Sequence, residues 1–97
     1  MLVVKKHIKD GQLALVICDK ELLGKKFEND GVVLNLSAQY FQGEDMKINE
    51  IIGLLPKAAT IQAVGKEAIQ LLIAQKIVEP VEVKTIQKVQ HVLVVRI

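Results

Sequence analysis

The stretch LALVICDKELLGKKFENDG, residues 13–31, decides the fold. Its first six residues form a continuous apolar run of strand length, which predicts a strand near the centre of a sheet. The preceding segment LVVKKHI, residues 2–8, is rich in β-branched residues. The Asp10-Gly11 pair between the two segments is typical of a tight turn, because glycine accepts a positive φ without a Cβ clash. We therefore predict that the chain begins with a β-hairpin.

The polar residues after the apolar run predict one short connection. Asp19 is placed to cap a single helical turn, KELLG, by accepting hydrogen bonds from its free backbone amides, and Gly24 is placed to end that turn. Phe27 then returns to the core. A second turn, NDG at residues 29–31, leads into VVLNL at residues 32–36, which predicts a third strand.

The second half of the chain predicts helices followed by strands. A short helix begins near Asn49 and is stopped by Pro56, and the longest helix runs from Thr60 to about Gln75, where apolar residues recur at helical spacing. The final segment, VEVKTIQKVQHVLVVRI, divides into two strands around residues 88–90. Alternation in the last strand places these residues on one face: His91, Leu93, Val95 and Ile97.

This order of elements predicts an α+β protein. We expect a single domain, residues 1–97, built on a small mixed or antiparallel sheet of about five strands. One long helix and one or two short helices pack on that sheet. The 97 residues, of which 51% are hydrophobic and 25% charged, suit one globular domain and argue against intrinsic disorder.

Composition also limits the function. The formal charge of +2, from 13 basic and 11 acidic residues, is too mild to identify a nucleic-acid binder, although a local basic face stays an alternative. The one cysteine, Cys18, has no partner for an intrachain disulfide. The opening MLVVKKHI is too short and too quickly charged for a signal peptide, and the apolar runs are shorter than a membrane span. We therefore expect a cytoplasmic protein with no membrane partner.

Four segments, ICDKELLGKKF, YFQGE, ATIQAVGKEAI and VQHVLVVRI, together resemble an archaeal family of small single-domain proteins, domain of unknown function 424. The resemblance covers nearly the whole chain, and it implies an archaeal cytoplasm and a small α+β fold but no activity or cofactor. One departure is the turn before the last strand, where many relatives carry a Gly-Gly-Val-Pro-His-like sequence and this chain reads QKVQH. The positions that carry the resemblance are Cys18, Asp19, Leu23, Gly24, Phe27, Gly43, Glu44, Thr60, Gly65 and His91.

The reactive residue types are few. Cys18, His91 and a carboxylate are the types needed for a nucleophile, a base and an orienting group, but a cysteine ending an apolar strand more often packs as a small hydrophobe. Two histidines and one cysteine lack the spacing of zinc ligands, and Glu44 with Asp45 reads more simply as a solvated turn. LLGKKF lacks the spaced glycines of a phosphate-binding loop. We therefore assign no catalytic residue, metal or cofactor.

The lysines indicate a function more specifically than the reactive residue types do. Lys5, Lys6 and Lys9 lie near the first hairpin, and Lys25 and Lys26 lie in the next loop. Three further cations belong to the last strands: Lys84, Lys88 and Arg96. If the first and last strands are neighbours, these side chains share a face that contacts phosphates. The alternative is an ordinary solvated surface.

We therefore favour a non-enzymatic binding module for RNA or for a ribonucleoprotein of the translation machinery. Its phosphate anchors are the lysines Lys5, Lys6, Lys25 and Lys26. One rival is a small enzyme with a polar pocket around Asp19, Glu44 and His91. Another is a protein–protein adaptor, including a homodimer formed through an apolar strand edge. The three aromatic residues, Phe27, Tyr40 and Phe41, are expected to pack in the core rather than to stack on bases.

Overall fold

The computed structural model describes residues 1–36 and 41–96. It confirms the mixed α+β class, but the main sheet has six strands instead of about five, in the order β5-β1-β2-β6-β8-β7. Strands β3 and β4 form a separate hairpin. The elements are β1 (Leu2–Lys9), β2 (Gln12–Asp19), β3 (Lys26–Asn29), β4 (Val32–Asn35), β5 (Glu44–Met46), α1 (Ile48–Leu54), β6 (Ala58–Val64), α2 (Lys66–Ala74), β7 (Lys84–Ile86) and β8 (Val89–Val95).

The predicted first hairpin is confirmed. Strands β1 and β2 pair antiparallel along their whole length, with Leu2 opposite Asp19 and Lys9 opposite Gln12. Asp10 and Gly11 both adopt positive φ in the connecting turn. The apolar run lies in β2, which has a partner on each side: β1 pairs antiparallel and β6 pairs parallel. This central position explains why the run is apolar on both faces.

The prediction of one long helix from Thr60 to Gln75 is wrong for the first part of that range. Residues Ala58–Val64 form strand β6, and the helix covers only Lys66–Ala74. Strand β6 is nearly covered on both faces, so its apolar residues do not alternate cleanly, and together with those of α2 they imitate a helical stripe. Gly65 separates the two elements, because its φ of 105° ends the strand in a conformation that favours glycine.

The two helices pack on one side of the sheet, which we call the helix face. Leu2 and Val4 of β1 point to this face, as do Leu15 and Ile17 of β2, and the cluster is completed by residues of β6, β8 and both helices. The short helix was predicted at the right place: it ends at Leu54, and Pro56 follows within a turn of 3-10 helix. The other buried residues of this cluster are Ile51, Leu55, Ala58, Ile61, Ala63, Ala68, Ile69, Leu71, Leu72, Val78 and Val92.

The opposite side of the sheet, which we call the hairpin face, is covered by the β3–β4 hairpin over one half only. The Glu28 backbone amide donates to Gln87 Oε1 (3.3 Å) and ties the hairpin to the turn between β7 and β8. Phe27 is half-buried and packs against the residues beneath the hairpin, in line with its predicted return to the core. The buried residues beneath and within the hairpin are Val16, Cys18, Leu34, Leu36, Phe41, Val64, Ile86 and Val89. We call this region the covered half.

The two predicted C-terminal strands are present, but their turn lies at Gln87 and Lys88. Both residues adopt positive φ, of 49° and 68°, so the chain makes a tight turn there without a glycine. The antiparallel pairing of β6 with β8 places His91, Leu93 and Val95 on one face, as predicted. The predictions for Tyr40 and Ile97 fall outside the described residues.

Candidate binding surface

Asp19 caps helix α2 and not the KELLG turn, which was the predicted target. The KELLG segment forms a three-residue 3-10 turn at Lys20–Leu22 with no side-chain cap. The Asp19 carboxylate instead accepts the backbone amides of Glu67 (3.0 Å) and Ala68 (2.8 Å) in the first turn of α2. Because β2 and β6 are parallel neighbours, the end of β2 lies beside the start of the helix that follows β6.

Gly65 and Asp19 form one structural unit. A Cβ at Gly65 would overlap the Asp19 carboxylate, so the carboxylate can reach the α2 amides only if position 65 has no side chain. Asp19 is 3% exposed, and its burial raises the pKa of the carboxyl against the opposing effect of the two amides. Both of its oxygens accept hydrogen bonds. This geometry fits a buried helix cap.

Cys18 is buried, as predicted, on the face of β2 opposite to Asp19. Burial raises the pKa of its thiol to about 12, and the charges of Asp19 and Glu21 act in the same direction. The thiol donates weakly to the Asp19 carbonyl oxygen (3.4 Å). It is therefore protonated at neutral pH, which is the form that does not act as a nucleophile. That Cys18 is chemically quiet stays a prediction.

Asp19, Glu44 and His91, the residues of the enzyme alternative, do not lie together in one site. Glu44 lies on the edge strand β5 and His91 on β8, four strand spacings away, or about 19 Å. Asp19 points to the helix face, whereas His91 points to the hairpin face. Burial, followed by the nearby Lys84 ammonium, lowers the pKa of His91. Within residues 1–36 and 41–96, no three His, Cys, Asp or Glu side chains are grouped closely enough to hold a metal ion.

A small polar cleft lies beside the Asp19 cap. Its volume is about 240 Å³, and its lining includes Asp19, Gly65, Lys88 and Gln90. The buried Gln90 Oε1 has no hydrogen-bond partner in the part of the chain that the structure describes. The cleft is smaller than a typical small-molecule site, which measures about 300–1,000 Å³.

The remaining positions of the family resemblance also lie mostly at backbone or packing points. A Cβ at Gly43 would overlap the carbonyl oxygen of Val4, so the edge of the sheet needs glycine there. Gly24 has a φ of 86°, and its amide bonds the Leu36 carbonyl (3.0 Å). Leu23 packs with Phe27 against the covered half. The two exceptions are Glu44, which is exposed, and Thr60, which is half-buried near the uncovered end of the hairpin face.

The structure distributes the predicted lysine anchors over different surfaces. Lys5 points to the hairpin face and its neighbour Lys6 to the helix face, because adjacent strand residues alternate. Lys26 lies on the outer side of the β3–β4 hairpin, two residues from Glu28 on the same side. Arg96 is engaged elsewhere: its Nη1 donates to the Leu55 carbonyl (2.7 Å). Whether Lys25 and Lys26 bind a ligand stays a prediction.

The uncovered part of the hairpin face, which we call the open half, is formed by Lys5, His7, Ala14, Thr60, Gln62, Leu93 and Val95. Leu93 and Val95 are 63% and 59% exposed. Lys9 and Lys84 lie at its margins on the same face. The strands β1, β2, β6, β7 and β8 contribute no carboxylate to this face, since their only acid, Asp19, points to the other side. The edge strand β5 contributes Asp45, which lies opposite Val3 and is paired with Lys20 (2.8 Å).

Sequence reasoning missed Thr60 and Gln62 on this surface because it placed them in a helix. Only the three-strand pairing of β2, β6 and β8 brings them beside Leu93. The alternation of His91, Leu93 and Val95 was the one sequence signal that pointed to an exposed, partly apolar strand face. In the described residues, the helices are all too short or too polar to cross a membrane.

Comparison with known proteins identifies a family. No curated protein matches the chain. A crystal structure described as that of an uncharacterized conserved protein from Methanopyrus kandleri is similar in fold, with a TM-score of 0.81 at 20% sequence identity over 96% of this chain and 89% of the other. The family described as "Protein of unknown function (DUF424)" matches residues 7–97. The chain therefore belongs to this DUF424 family, as its resemblance implied.

Proposed function

We propose that the protein is a binding module that contacts RNA through the open half of the hairpin face. The observation that carries this proposal is the positive charge around the open half. Lys5, Lys9 and Lys84 border an exposed sheet surface, and the strands β1, β2, β6, β7 and β8 place no carboxylate on it. Asp45 of β5, on the same side of the sheet, is paired with Lys20. A surface of this kind attracts phosphates, which supply most of the sequence-independent affinity for a nucleic acid.

The rest of the open half supports contact with a single strand. Thr60 and Gln62 offer hydrogen-bonding groups, and Leu93 and Val95 offer apolar surface for sugars and base faces. The described part of this surface carries no Phe, Tyr or Trp side chain and one imidazole, that of His7, so stacking contributes little. We therefore expect weak binding with little sequence preference and a strong dependence on salt. A ribonucleoprotein would present the same phosphates.

A protein–protein adaptor is the second candidate, and the exposure of Leu93 and Val95 favours it. Exposed aliphatic side chains that lie side by side mark contact surfaces for proteins as well as for nucleic acids. The two candidates differ in which residues matter. RNA binding depends on the lysines at the margins, whereas an adaptor depends on the aliphatic centre.

The test is fluorescence anisotropy with a labelled single-stranded RNA of about 16 nucleotides at low and moderate salt. The variant is Lys5→Gln with Lys84→Gln. Its matched control, Lys6→Gln with Lys76→Gln, removes the same charge from the helix side of the molecule. The first pair should weaken binding about tenfold and reduce the salt slope by about 0.7 for each phosphate that the variant no longer neutralises, while the control stays within about twofold.

Two further variants separate the alternatives. Lys25→Gln with Lys26→Gln tests the anchors predicted from the sequence. Leu93→Gln tests the adaptor, because it removes the apolar centre and leaves every cation in place. RNA binding that is absent at low salt, or equally weakened by the Lys5, Lys84 pair and its control pair, would refute the proposal. Impaired binding of a protein partner in Leu93→Gln alone would favour the adaptor.

A further inference from the structure

A second surface lies on the helix face, on the side of the sheet opposite to the open half. Helices α1 and α2 are separated there by a groove with a volume of about 1050 Å³. Its wall residues are mainly apolar: Leu2, Met46, Ile48, Ile52, Leu71 and Ala74. Ile48 is 56% exposed although it begins α1 beside this groove. An exposed apolar side chain in a concave, apolar setting marks a contact site.

The spacing of the wall residues fits a helix. Ile48 and Ile52 are one turn apart on α1, and Leu71 and Ala74 are about one turn apart on α2. Side chains in such rows receive the i, i+3 and i+4 anchors of an amphipathic helix laid between them. Met46, half-buried at the edge of the groove, adds a flexible apolar side chain that adapts to its partner.

The charge at the rim of the groove indicates which charge a bound partner carries. Lys47 and Lys66 stand at the groove, and neither forms an ion pair with another described residue. Glu67 is the one acidic residue among those that line the groove, and its carboxylate is bonded to the amino group of Met1 (2.6 Å). The residues that line the groove therefore carry a net charge of +2, from Lys47, Lys66 and the Met1 amino group against Glu67, and this charge complements carboxylates on a partner.

We infer that the groove between α1 and α2 is a docking site for an acidic amphipathic helix of a partner protein. The apolar side of that helix enters between Ile48 and Leu71, and its carboxylates face Lys47 and Lys66. This inference does not depend on RNA binding, because the two surfaces lie on opposite faces of the sheet.

The probe is a labelled synthetic helix of about 14 residues, long enough to span about 20 Å, with leucines at positions i, i+3, i+4 and i+7 and glutamates beside them. One comparison peptide replaces every glutamate by lysine, and another scrambles the sequence. The protein variants are Ile48→Gln and the pair Lys47→Gln with Lys66→Gln. The controls are Ile8→Gln, at a side chain 77% exposed near the far end of β1, and Lys6→Gln with Lys76→Gln.

We expect saturable binding of the acidic helix, weakened at least about tenfold by each test variant and less than about twofold by each control. The Lys5→Gln, Lys84→Gln pair should leave peptide binding unchanged, and the Lys47→Gln, Lys66→Gln pair should leave RNA binding unchanged. The two proposals can therefore fail separately. The side chains substituted at the groove and in its controls are exposed, and circular dichroism checks that each variant remains folded.

Three results would overturn the inference. Equal binding of the lysine peptide would show that charge does not select the occupant. Equal binding of the scrambled peptide, or no saturation, would show that the groove does not recognise a helix. Binding of laurate, a single-chain carboxylate, with no binding of the helix would assign the groove to a small amphiphile instead.

Discussion

Leu36 and Leu93 lie over the same face of one sheet, but Leu36 has no exposed surface and Leu93 is 63% exposed. The difference separates the covered half from the open half. The covered half contains or adjoins most positions that carry the family resemblance, and there they serve packing and backbone geometry. The open half contains the cations and few of those positions. Motif residues therefore mark what builds this fold, and the candidate binding surface lies beside them.

The largest expected effect is at Gly65. Substitution Gly65→Ala forces a side chain into a positive-φ position and against the Asp19 carboxylate. We expect the free energy of unfolding to fall by about 4 kcal/mol, measured by urea denaturation. Gly53→Ala is the control: it lies within α1, and a Cβ there meets nothing within 4 Å. That variant should gain about 0.5–1 kcal/mol. Equal effects at the two glycines would contradict the role of the Asp19 contact.

The two leucines compare the halves directly. Leu36→Ala leaves a cavity under the hairpin, and we expect it to lower the free energy of unfolding by about 3 kcal/mol. Leu93→Ala removes the same atoms from an exposed strand position, and we expect a change below about 0.5 kcal/mol. Thermal and urea denaturation measure both. Similar losses would mean that the open half is covered in solution, for example by a second copy of the chain.

The helix cap should have a smaller effect. Asp19→Ala leaves two amides of α2 without their acceptor, and we expect a loss of about 2 kcal/mol. Loss of binding in this variant with unchanged stability would refute the structural role.

The same side chain also makes stability depend on pH. Burial raises the pKa of Asp19 in the folded protein, so this carboxyl group contributes most to stability below the unfolded pKa near 3.9 and loses that contribution as pH rises through the folded value. The stability of the natural protein relative to Asp19→Asn should therefore decrease as pH rises above the unfolded value near 3.9. An increase over this range would mean that the two amides outweigh burial.

The smallest effect is expected at the turn between β7 and β8. Lys88 adopts a φ of 68°, a conformation that costs a residue with a side chain about 1–2 kcal/mol. Lys88→Gly relieves this cost but increases the entropy of the unfolded chain, so we expect a net gain of about 0.5–1 kcal/mol. Lys84→Gly, in the neighbouring strand, should be destabilising instead. A loss of stability in Lys88→Gly would show that its side chain makes a contact worth more than the strain.

Local signals predicted the first hairpin, the turns and the last strand, because turn residues and β-branched runs act over a few neighbours. Sequence reasoning failed where long-range pairing decides the conformation. Residues Ala58–Val64 became a strand because β2 and β8 flank them, which no local pattern reveals. Asp19 was assigned to the adjacent turn because its true partners, Glu67 and Ala68, are nearly fifty positions away. Lys5 and Lys6 do not share a surface, because adjacent residues of a strand point to opposite faces of the sheet.

The central claim is that RNA binds to the open half and not to the covered half or the helices. A titration of the ¹⁵N-labelled protein with single-stranded RNA, followed by amide shifts in NMR, tests it most directly. The largest shifts are expected at Lys5, Gln62, Leu93 and Val95, with α1, α2 and the β3–β4 hairpin unchanged. Shifts confined to the hairpin around Lys26, or to the helices, would contradict the claim.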